Sequence, residues 1–177
     1  CLSKGKSSVI ELPGSIELFI EVYPPQPRLI VIGAVHFSES LITMANAAGF
    51  ETILIDPRPA FANKERFPHA GKLLRGWPQD VLPELRIDNS TFVVVMTHDP
   101  KIDDPALQYV LKSQAKYIGA LGSKRTNLRR IERLRKAGLT EEQVSRLHAP
   151  IGLNLGGNTP GEIAISIMAE IIQAKHN

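Results

Sequence analysis

The sequence has few of the residues that cross-link small domains or stack on nucleic-acid bases. Cys1 is the one cysteine in 177 residues, which excludes a disulfide framework and a cysteine-based zinc site. Aromatic residues make up only 6% of the chain and the formal net charge is only +3, so we expect no nucleic-acid partner. No run approaches the roughly 18 consecutive apolar residues of a membrane span, so we also expect no membrane partner.

What is present is the composition of an ordinary folded domain. Hydrophobic residues account for 43% of the chain and charged residues for 22%, which is typical of a globular protein. No apolar segment follows Lys4 and Lys6 as it would in a secretory signal, so we expect a cytoplasmic protein.

The chain divides at a proline-rich stretch. Residues 8–22 alternate in polarity around Pro13-Gly14-Ser15, which predicts a short β-hairpin. Pro24-Pro25-Gln26-Pro27 predicts a stiff linker. We therefore predict an N-terminal hairpin and linker over 1–27 and a second domain over 28–177. The free edge of the hairpin favours a homodimer.

Apolar runs and helical patterns alternate in the second domain. Buried strands are expected at 29–32, 52–55, 73–74, 92–96 and 116–118, and helices at 37–48, 104–114, 126–137 and from Thr159. This alternation predicts the α/β class, with a doubly wound, Rossmann-like parallel sheet of strand order 3-2-1-4-5-6. Two helices are expected to bury apolar stripes, formed by Leu128, Ile131 and Leu134 in one and by Ile163, Ala164, Ile167, Met168, Ile171 and Ile172 in the other.

The candidate cofactor-binding residues follow the strands, because ligands of such sheets bind beyond the carboxyl ends. They are Gly33, Ala34 and His36 after the first strand, Asp56 and Arg58 after the second, Thr97, His98 and Asp99 after the fourth, Gly119, Gly122, Ser123, Lys124 and Arg125 after the fifth, and Gly156 and Thr159 before the last helix. No residue is assigned a catalytic or metal-binding role. His36 and His98 are interpreted as partly buried, hydrogen-bonded histidines, and a metal or proton-shuttle role with Asp99 is the alternative.

The turn after the first strand is an incomplete dinucleotide fingerprint. Gly33, Val35 and Ser38 occupy the three glycine positions of the G-x-G-x-x-G pattern. Asp56 follows at the spacing of a residue that binds a ribose hydroxyl, and Arg58 beside it would accommodate a 2′-phosphate. The pattern therefore indicates either a nucleotide site or one that has decayed.

The segment from Gly119 to Arg125 indicates an anion site. Ser123 is a candidate cap, and a helix N-terminus attracts negative charge. Lys124 and Arg125 oppose the helix dipole there, a conflict that a phosphate or pterin phosphate would resolve. An ordinary exposed basic turn is the alternative. The basic run that follows is interpreted as a solvated face rather than a nucleic-acid patch, or as a surface for an acidic partner: Arg129, Arg130, Arg133, Arg135 and Lys136.

Four segments resemble the xanthine dehydrogenase accessory factor family of the XdhC/CoxF type. They are residues 55–59, 94–99, 117–126 and 146–170. The resemblance implies a maturation factor that binds molybdenum cofactor (molybdopterin) or its nucleotide form, promotes its sulfuration and delivers it to the apoenzyme of a molybdenum hydroxylase. It also implies a cysteine desulfurase as a second partner.

The chain departs from that family at two places. The usual first turn reads G-A-G-H, whereas this chain has Gly33-Ala34-Val35-His36. Leu12-Pro13-Gly14-Ser15 stands where a Cys-Gly-Gly segment is usual. Because Cys1 is terminal, we expect it to be mobile and not to carry sulfur. Three functions stay open: a cofactor-binding chaperone rather than a catalyst, an NAD(P)-dependent oxidoreductase, and a docking module without a small ligand.

Overall fold

A computed structural model describes residues 7–14 and 16–177, so Cys1, Lys4, Lys6 and Ser15 lie outside the described residues. The strands are β1 Ser8–Leu12, β2 Ile16–Ile20, β3 Arg28–Ile32, β4 Glu51–Ile55, β5 Lys72–Leu74, β6 Thr91–Val95, β7 Tyr117–Ala120 and β8 Leu147–His148. The helices are α1 His36–Ala47, α2 Pro78–Val81, α3 Pro100–Val110, α4 Lys124–Lys136, α5 Glu141–Ser145 and α6 Pro160–His176, with a 3₁₀ turn at Leu82–Glu84.

The main sheet has six parallel strands in the order β5-β4-β3-β6-β7-β8. Numbered within the second domain, this is the order 3-2-1-4-5-6, so the predicted fold is confirmed. The strand order changes direction between β3 and β6, where Ile32 pairs with Val95. In doubly wound sheets, ligands bind beyond the carboxyl ends of the strands at this point.

The sheet separates two hydrophobic cores. In β3, Leu29 and Val31 belong to the core shared with α1 and α6. Ile30 and Ile32 belong to the core on the other face, shared with α3 and α4. Because both faces are covered, each central strand must be apolar along its whole length, which explains why the strands are unbroken apolar runs in the sequence.

Three predictions about the helices are wrong. α3 begins at Pro100 rather than at 104, because the Asp99 carboxylate caps its first turn and proline suits the first helical position. On α4, Leu128 is 63% exposed, and the buried stripe consists of Asn127, Arg130 and Leu134. On α6, Ile172 is also exposed. In α4 the buried stripe contains polar residues, which an apolar-pattern search does not find.

The predicted hairpin is confirmed, with Val9 opposite Phe19 and Glu11 opposite Glu17. None of its described residues belongs to either core, and Phe19 is 62% exposed. The division into 1–27 and 28–177 and the homodimer stay predictions. Within the described part of the chain, no helix is long and apolar enough to cross a lipid bilayer.

Candidate functional site

The site lies at the carboxyl edge of the sheet, where the loops after β3, β4, β6 and β7 begin. Two of these loops are named here. The His98 turn is residues 97–99, between β6 and α3. The anion loop is residues 121–125, which follow β7 and include the first two residues of α4. Because β6 and β7 are neighbours in the sheet, the two loops leave it side by side.

The turn between β3 and α1 is held by contacts within the protein. Gly33 has a φ of 110°, and a Cβ there would lie 2.5 Å from Cγ2 of Thr97. Glycine is therefore required by the backbone conformation and by the neighbouring turn. Ser38 is buried, and its hydroxyl donates a hydrogen bond of 2.6 Å to the carbonyl of Gly33. The serine at the third fingerprint position thus closes the turn, and the branched Val35 stands at the second.

The Asp56 carboxylate is buried and bonded on both oxygens. Ala34 N–H donates to Oδ2 at 2.7 Å, and the Arg58 guanidinium donates to both oxygens at 2.9 and 2.6 Å. Burial alone would raise the pKa of Asp56, but the bonds from Arg58 and Ala34 outweigh it and lower the pKa. Arg58 also stacks over the Phe61 ring at 4.3 Å. In this conformation Asp56 fixes Arg58 in place, and a direct contact from Asp56 to a ribose stays a prediction.

The His98 turn carries an exposed histidine on an unusual backbone. His98 has a φ of 63°, in the left-handed region that few residues other than glycine adopt. Thr97 Oγ1 accepts a hydrogen bond of 3.0 Å from Asp99 N–H, and the Asp99 carboxylate caps α3. His36 is exposed as well, so the expectation of two partly buried histidines is wrong. In residues 7–14 and 16–177, no three His, Cys, Asp or Glu side chains are grouped as metal ligands.

The anion loop presents cations at the start of a helix. Gly122 has a φ of 145° and leads into Ser123, whose hydroxyl accepts a hydrogen bond of 3.1 Å from Thr126 N–H. The predicted serine cap is therefore confirmed. Lys124 and Arg125 are exposed, and the first turn of α4 has no acidic residue. The first turns of the other three long helices each contain one: Glu39 in α1, Asp103 in α3 and Glu162 in α6.

A buried polar network lies beneath these two loops, and sequence reasoning missed it. The Arg130 guanidinium donates to the Asp103 carboxylate at 2.9 Å, to the Leu121 carbonyl at 3.1 Å and to the side-chain oxygen of Asn127. Asp103 accepts a further bond from the Thr97 hydroxyl. Burial raises the pKa of Asp103, and the bonds from Thr97 and Arg130 offset only part of this rise. Asn127, Arg130 and Leu134 share one helix face, but this spacing alone does not mark an arginine as buried, because its partner Asp103 lies on another helix.

The interpretation of the α4 basic run as a solvated face is therefore wrong for Arg130, which is 1% exposed. Arg133 makes a two-pronged ion pair with Asp104 of α3, and Arg135 makes one with Glu141 of α5. The interpretation holds for the exposed side chains of Arg129 and Lys136.

Two other residues predicted to bind the cofactor have roles within the fold itself. Gly119 lies within β7 rather than in a loop, and a Cβ there would lie 2.7 Å from the Tyr117 hydroxyl. Thr159 caps α6 as predicted, together with Glu162. The Glu162 carboxylate accepts bonds from the backbone N–H groups of Asn158 and Thr159 and from the Thr159 hydroxyl. The start of α6, near the exposed Gly156, therefore already has an anion of its own.

A second polar cluster, also missed, fastens α6 to β7 and β8. Glu170 accepts a bond of 2.6 Å from the Tyr117 hydroxyl and another of 2.6 Å from Gly152 N–H, and it pairs with His148 at 2.9 Å. Burial would raise the pKa of Glu170, but the bonds from His148, Tyr117 and Gly152 lower it overall. Burial likewise raises the pKa of Tyr117 far above its ordinary value. This cluster joins α6 to two strands of the sheet and to the loop that contains Gly152.

The comparisons with known proteins agree with this geometry. The family model described as the XdhC Rossmann domain matches residues 29–171. The uncharacterized protein YqeB of Escherichia coli is 37% identical, over 93% of this chain and 30% of its own length. A probable xanthine dehydrogenase subunit of Bacillus subtilis is 33% identical, over 95% and 50%. The molybdenum cofactor insertion chaperone PaoD of Escherichia coli is 26% identical, over 86% and 42%. The chain thus spans half or less of the length of these relatives.

Solved structures also match this chain. A crystal structure of a xanthine dehydrogenase from Bacillus halodurans matches with a TM-score of 0.76 and 36% identity, over 88% of this chain and 44% of that one. The GsuK channel bound to NAD matches with a TM-score of 0.50 and 19% identity, over 79% and 23%, which is a likeness of fold alone. Because the family model covers most of the residues and both cores, the chain belongs to the XdhC family and comprises its Rossmann domain.

Proposed function

We propose that this chain is the cofactor-binding domain of an accessory factor that assists insertion of molybdenum cofactor into a molybdenum hydroxylase. The names of two relatives support this assignment: one is called a molybdenum cofactor insertion chaperone, and the other is named as a probable component of xanthine dehydrogenase. Because those relatives are longer than this chain, the activity and the partners of the whole protein are part of the proposal.

The observation that carries the proposal is the anion loop. Exposed Lys124 and Arg125 stand at a helix N-terminus whose first turn has no carboxylate. Two cations there are unfavourable in the free domain, because they add to the positive end of the helix dipole. A phosphate, such as the one that molybdopterin carries, reverses the sign of that interaction and accepts hydrogen bonds from backbone N–H groups. The loop therefore fits the anionic end of the cofactor.

The other proposed contacts with the cofactor come from the neighbouring loops. His98 is exposed beside the anion loop and is assigned to the pterin edge or the metal end of the cofactor. Arg58, which Asp56 holds in a fixed orientation, supplies a guanidinium for the second phosphate of a nucleotide form. The start of α6 is not assigned to a phosphate, because the Glu162 carboxylate would repel it. In this proposal the cofactor is cargo, and the chain binds and orients it.

Sulfuration of the cofactor is assigned to a separate cysteine desulfurase. Cys1 is the only cysteine in the sequence, so a relay of sulfur between two thiols within this chain is not possible. The proposed task of this domain is to hold the cofactor while a desulfurase and the apoenzyme act on it.

An NAD(P)-dependent oxidoreductase is the second candidate, favoured by the strand order and by the glycine turn at Gly33. Two features oppose it. The Asp56 carboxylate is closed off by Arg58 and Ala34, and Val35 brings a branched side chain to the position where a pyrophosphate approaches the backbone. A docking module without a small ligand is the third candidate, and it differs from both others in binding no cofactor.

Calorimetric titration with molybdenum cofactor, NAD and NADP separates these functions. We expect the molybdenum cofactor alone to bind. Replacing Lys124 and Arg125 together by alanine should lower its affinity about tenfold or more, because charge-assisted hydrogen bonds are lost. The matched control replaces Arg129 and Lys136, which removes the same charge from later turns of α4.

Each other outcome has a definite meaning. Unchanged affinity in the Lys124→Ala, Arg125→Ala variant would refute the loop assignment. Binding of NAD or NADP alone would favour the oxidoreductase, and binding of none of the three would favour the docking module.

A further inference from the structure

The buried network between α3 and α4 joins the two loops of the proposed site by an unbroken series of hydrogen bonds. It begins at Asp99 N–H, which donates to the Thr97 hydroxyl, and the hydroxyl donates to Asp103. Arg130 then connects Asp103 to the Leu121 carbonyl and to the Asn127 side chain. Asn127 in turn donates to the Gly122 carbonyl at 3.0 Å. The series thus starts in the His98 turn and ends in the anion loop.

The burial of this network is unusual for an ion pair. The side chains of Arg130 and Asp103 are 2% and 1% exposed, and Arg130 Nε has no hydrogen-bond partner among the described residues. A buried ion pair with an unsatisfied donor is a poor source of stability, because removing both charges from water costs about as much as their attraction returns. Stability alone therefore does not account for the network, whereas fixing the positions of two loops does.

We propose that Arg130 is a positioning residue that couples the anion loop to the His98 turn through Asp103 and Thr97. Arg130 and Asn127 hold the backbone carbonyls of Leu121 and Gly122, and so set the path of the chain into the α4 N-terminus. Asp103 and Thr97 hold the turn on which His98 stands. A ligand that contacts either loop then meets the other in a fixed position. This inference deepens the proposed function and rests on it for the ligand, but the coupling itself is testable without one.

The ligand-free test breaks the series at the His98 turn and observes the anion loop. Thr97→Val keeps the shape of the side chain and removes its hydroxyl, whereas Thr97→Ser keeps the hydroxyl. The amides of Thr126 and Asn127, which bond to Ser123, serve as reporters in hydrogen exchange. We expect Thr97→Val to speed their exchange by about fivefold or more, the lower end of ordinary coupling between sites, and Thr97→Ser to preserve the wild-type rate.

Arg133→Met is the matched control. It also removes a guanidinium that joins α4 to α3, but Arg133 binds Asp104 near the surface and touches neither loop. It should leave exchange of the two reporter amides unchanged. If Arg133→Met and Thr97→Val speed exchange equally, the effect is general loosening of the two helices and the proposal is wrong. It is also wrong if Thr97→Val changes nothing.

The second test uses pyrophosphate as the probe and the imidazole NMR signals of His98 as the readout. In the wild type, saturating pyrophosphate at the anion loop should shift these signals, and in Thr97→Val the shift measured at saturation should disappear. Arg130→Met, where it folds, should lower pyrophosphate affinity about tenfold, as expected when a charged hydrogen-bonding group is lost. A wild-type shift that persists in Thr97→Val would overturn the coupling. If pyrophosphate does not bind at all but the exchange result holds, the proposed ligand fails and the coupling stands.

Discussion

The N-termini of α4 and α6 are built from the same capping chemistry and differ in charge. Ser123 caps α4 and Thr159 caps α6, each through a hydroxyl that accepts a backbone N–H three residues later. In α6 that third residue is Glu162, whose carboxylate bonds back to Thr159. In α4 it is Thr126, which has no charge. One helix start is neutralised from within, and the other is left positive.

The residues that follow the caps enlarge this difference. Lys124 and Arg125 occupy the first two positions of α4, where α6 has Pro160 and Gly161. The helix dipole favours anions at both starts, but only α4 has unneutralised positive charge to offer them. The comparison teaches that capping and anion binding compete for the same N–H groups, so a helix that supplies its own carboxylate is a poor phosphate site.

The strongest test transfers the α6 arrangement to α4. Thr126→Glu gives Ser123 a glutamate partner three residues later and should produce a capping box. We expect pyrophosphate affinity to fall about tenfold or more, because a like charge about 4 Å away costs roughly 1 to 4 kcal/mol near a protein surface. Titration calorimetry measures the change. Thr126→Gln, which can form the same box without charge, is the control and should bind nearly as the wild type does. Equal binding by Thr126→Glu would show that the anion does not lie at α4.

The features that the sequence could predict are local ones. The caps at Ser123 and Thr159 depend on residues three positions apart, so short motifs reveal them. The sheet order follows from apolar strands that alternate with helices, because the right-handed crossover rule leaves few arrangements. The predicted helix at 104–114 leaves out Asp99-Pro100, although this pair is a cap followed by a first helical position.

The features that could not be predicted depend on pairs of residues far apart in the chain. Arg129 and Arg130 are adjacent in a basic run, and only Arg130 is buried, because Asp103 faces it from α3. Likewise, the spacing of Asp56 suggested a ribose contact, but Arg58 and Ala34 already bind its oxygens. A single sequence shows which charges are present, but it does not show which of them neutralise one another.

A prediction of smaller size distinguishes helix capping from anion binding at the N-termini of α4 and α6. Ser123→Ala and Thr159→Ala should each lower the free energy of unfolding by about 1 kcal/mol, since each removes one N-cap hydroxyl. Urea denaturation measures both losses. Only Ser123→Ala should also weaken pyrophosphate binding, by a few-fold, because the cap orders the anion loop. The opposite pattern, with affinity lost in Thr159→Ala alone, would move the anion site to α6.

The smallest effect concerns pH. It tests whether the Glu162 carboxylate neutralises the positive N-terminus of α6. The hydrogen bonds from Thr159 and Asn158 lower the pKa of Glu162 below its ordinary value of 4.5. Since the folded-state pKa is the lower one, the stabilisation is complete above the unfolded pKa and is lost as pH falls through the folded pKa. The wild type should therefore have a higher Tm than Glu162→Gln at pH 7, and the difference should shrink steadily below pH 4.5. A difference in Tm that is independent of pH would mean that the Glu162 charge does not neutralise the α6 start, and the contrast with α4 would then rest on Lys124 and Arg125 alone.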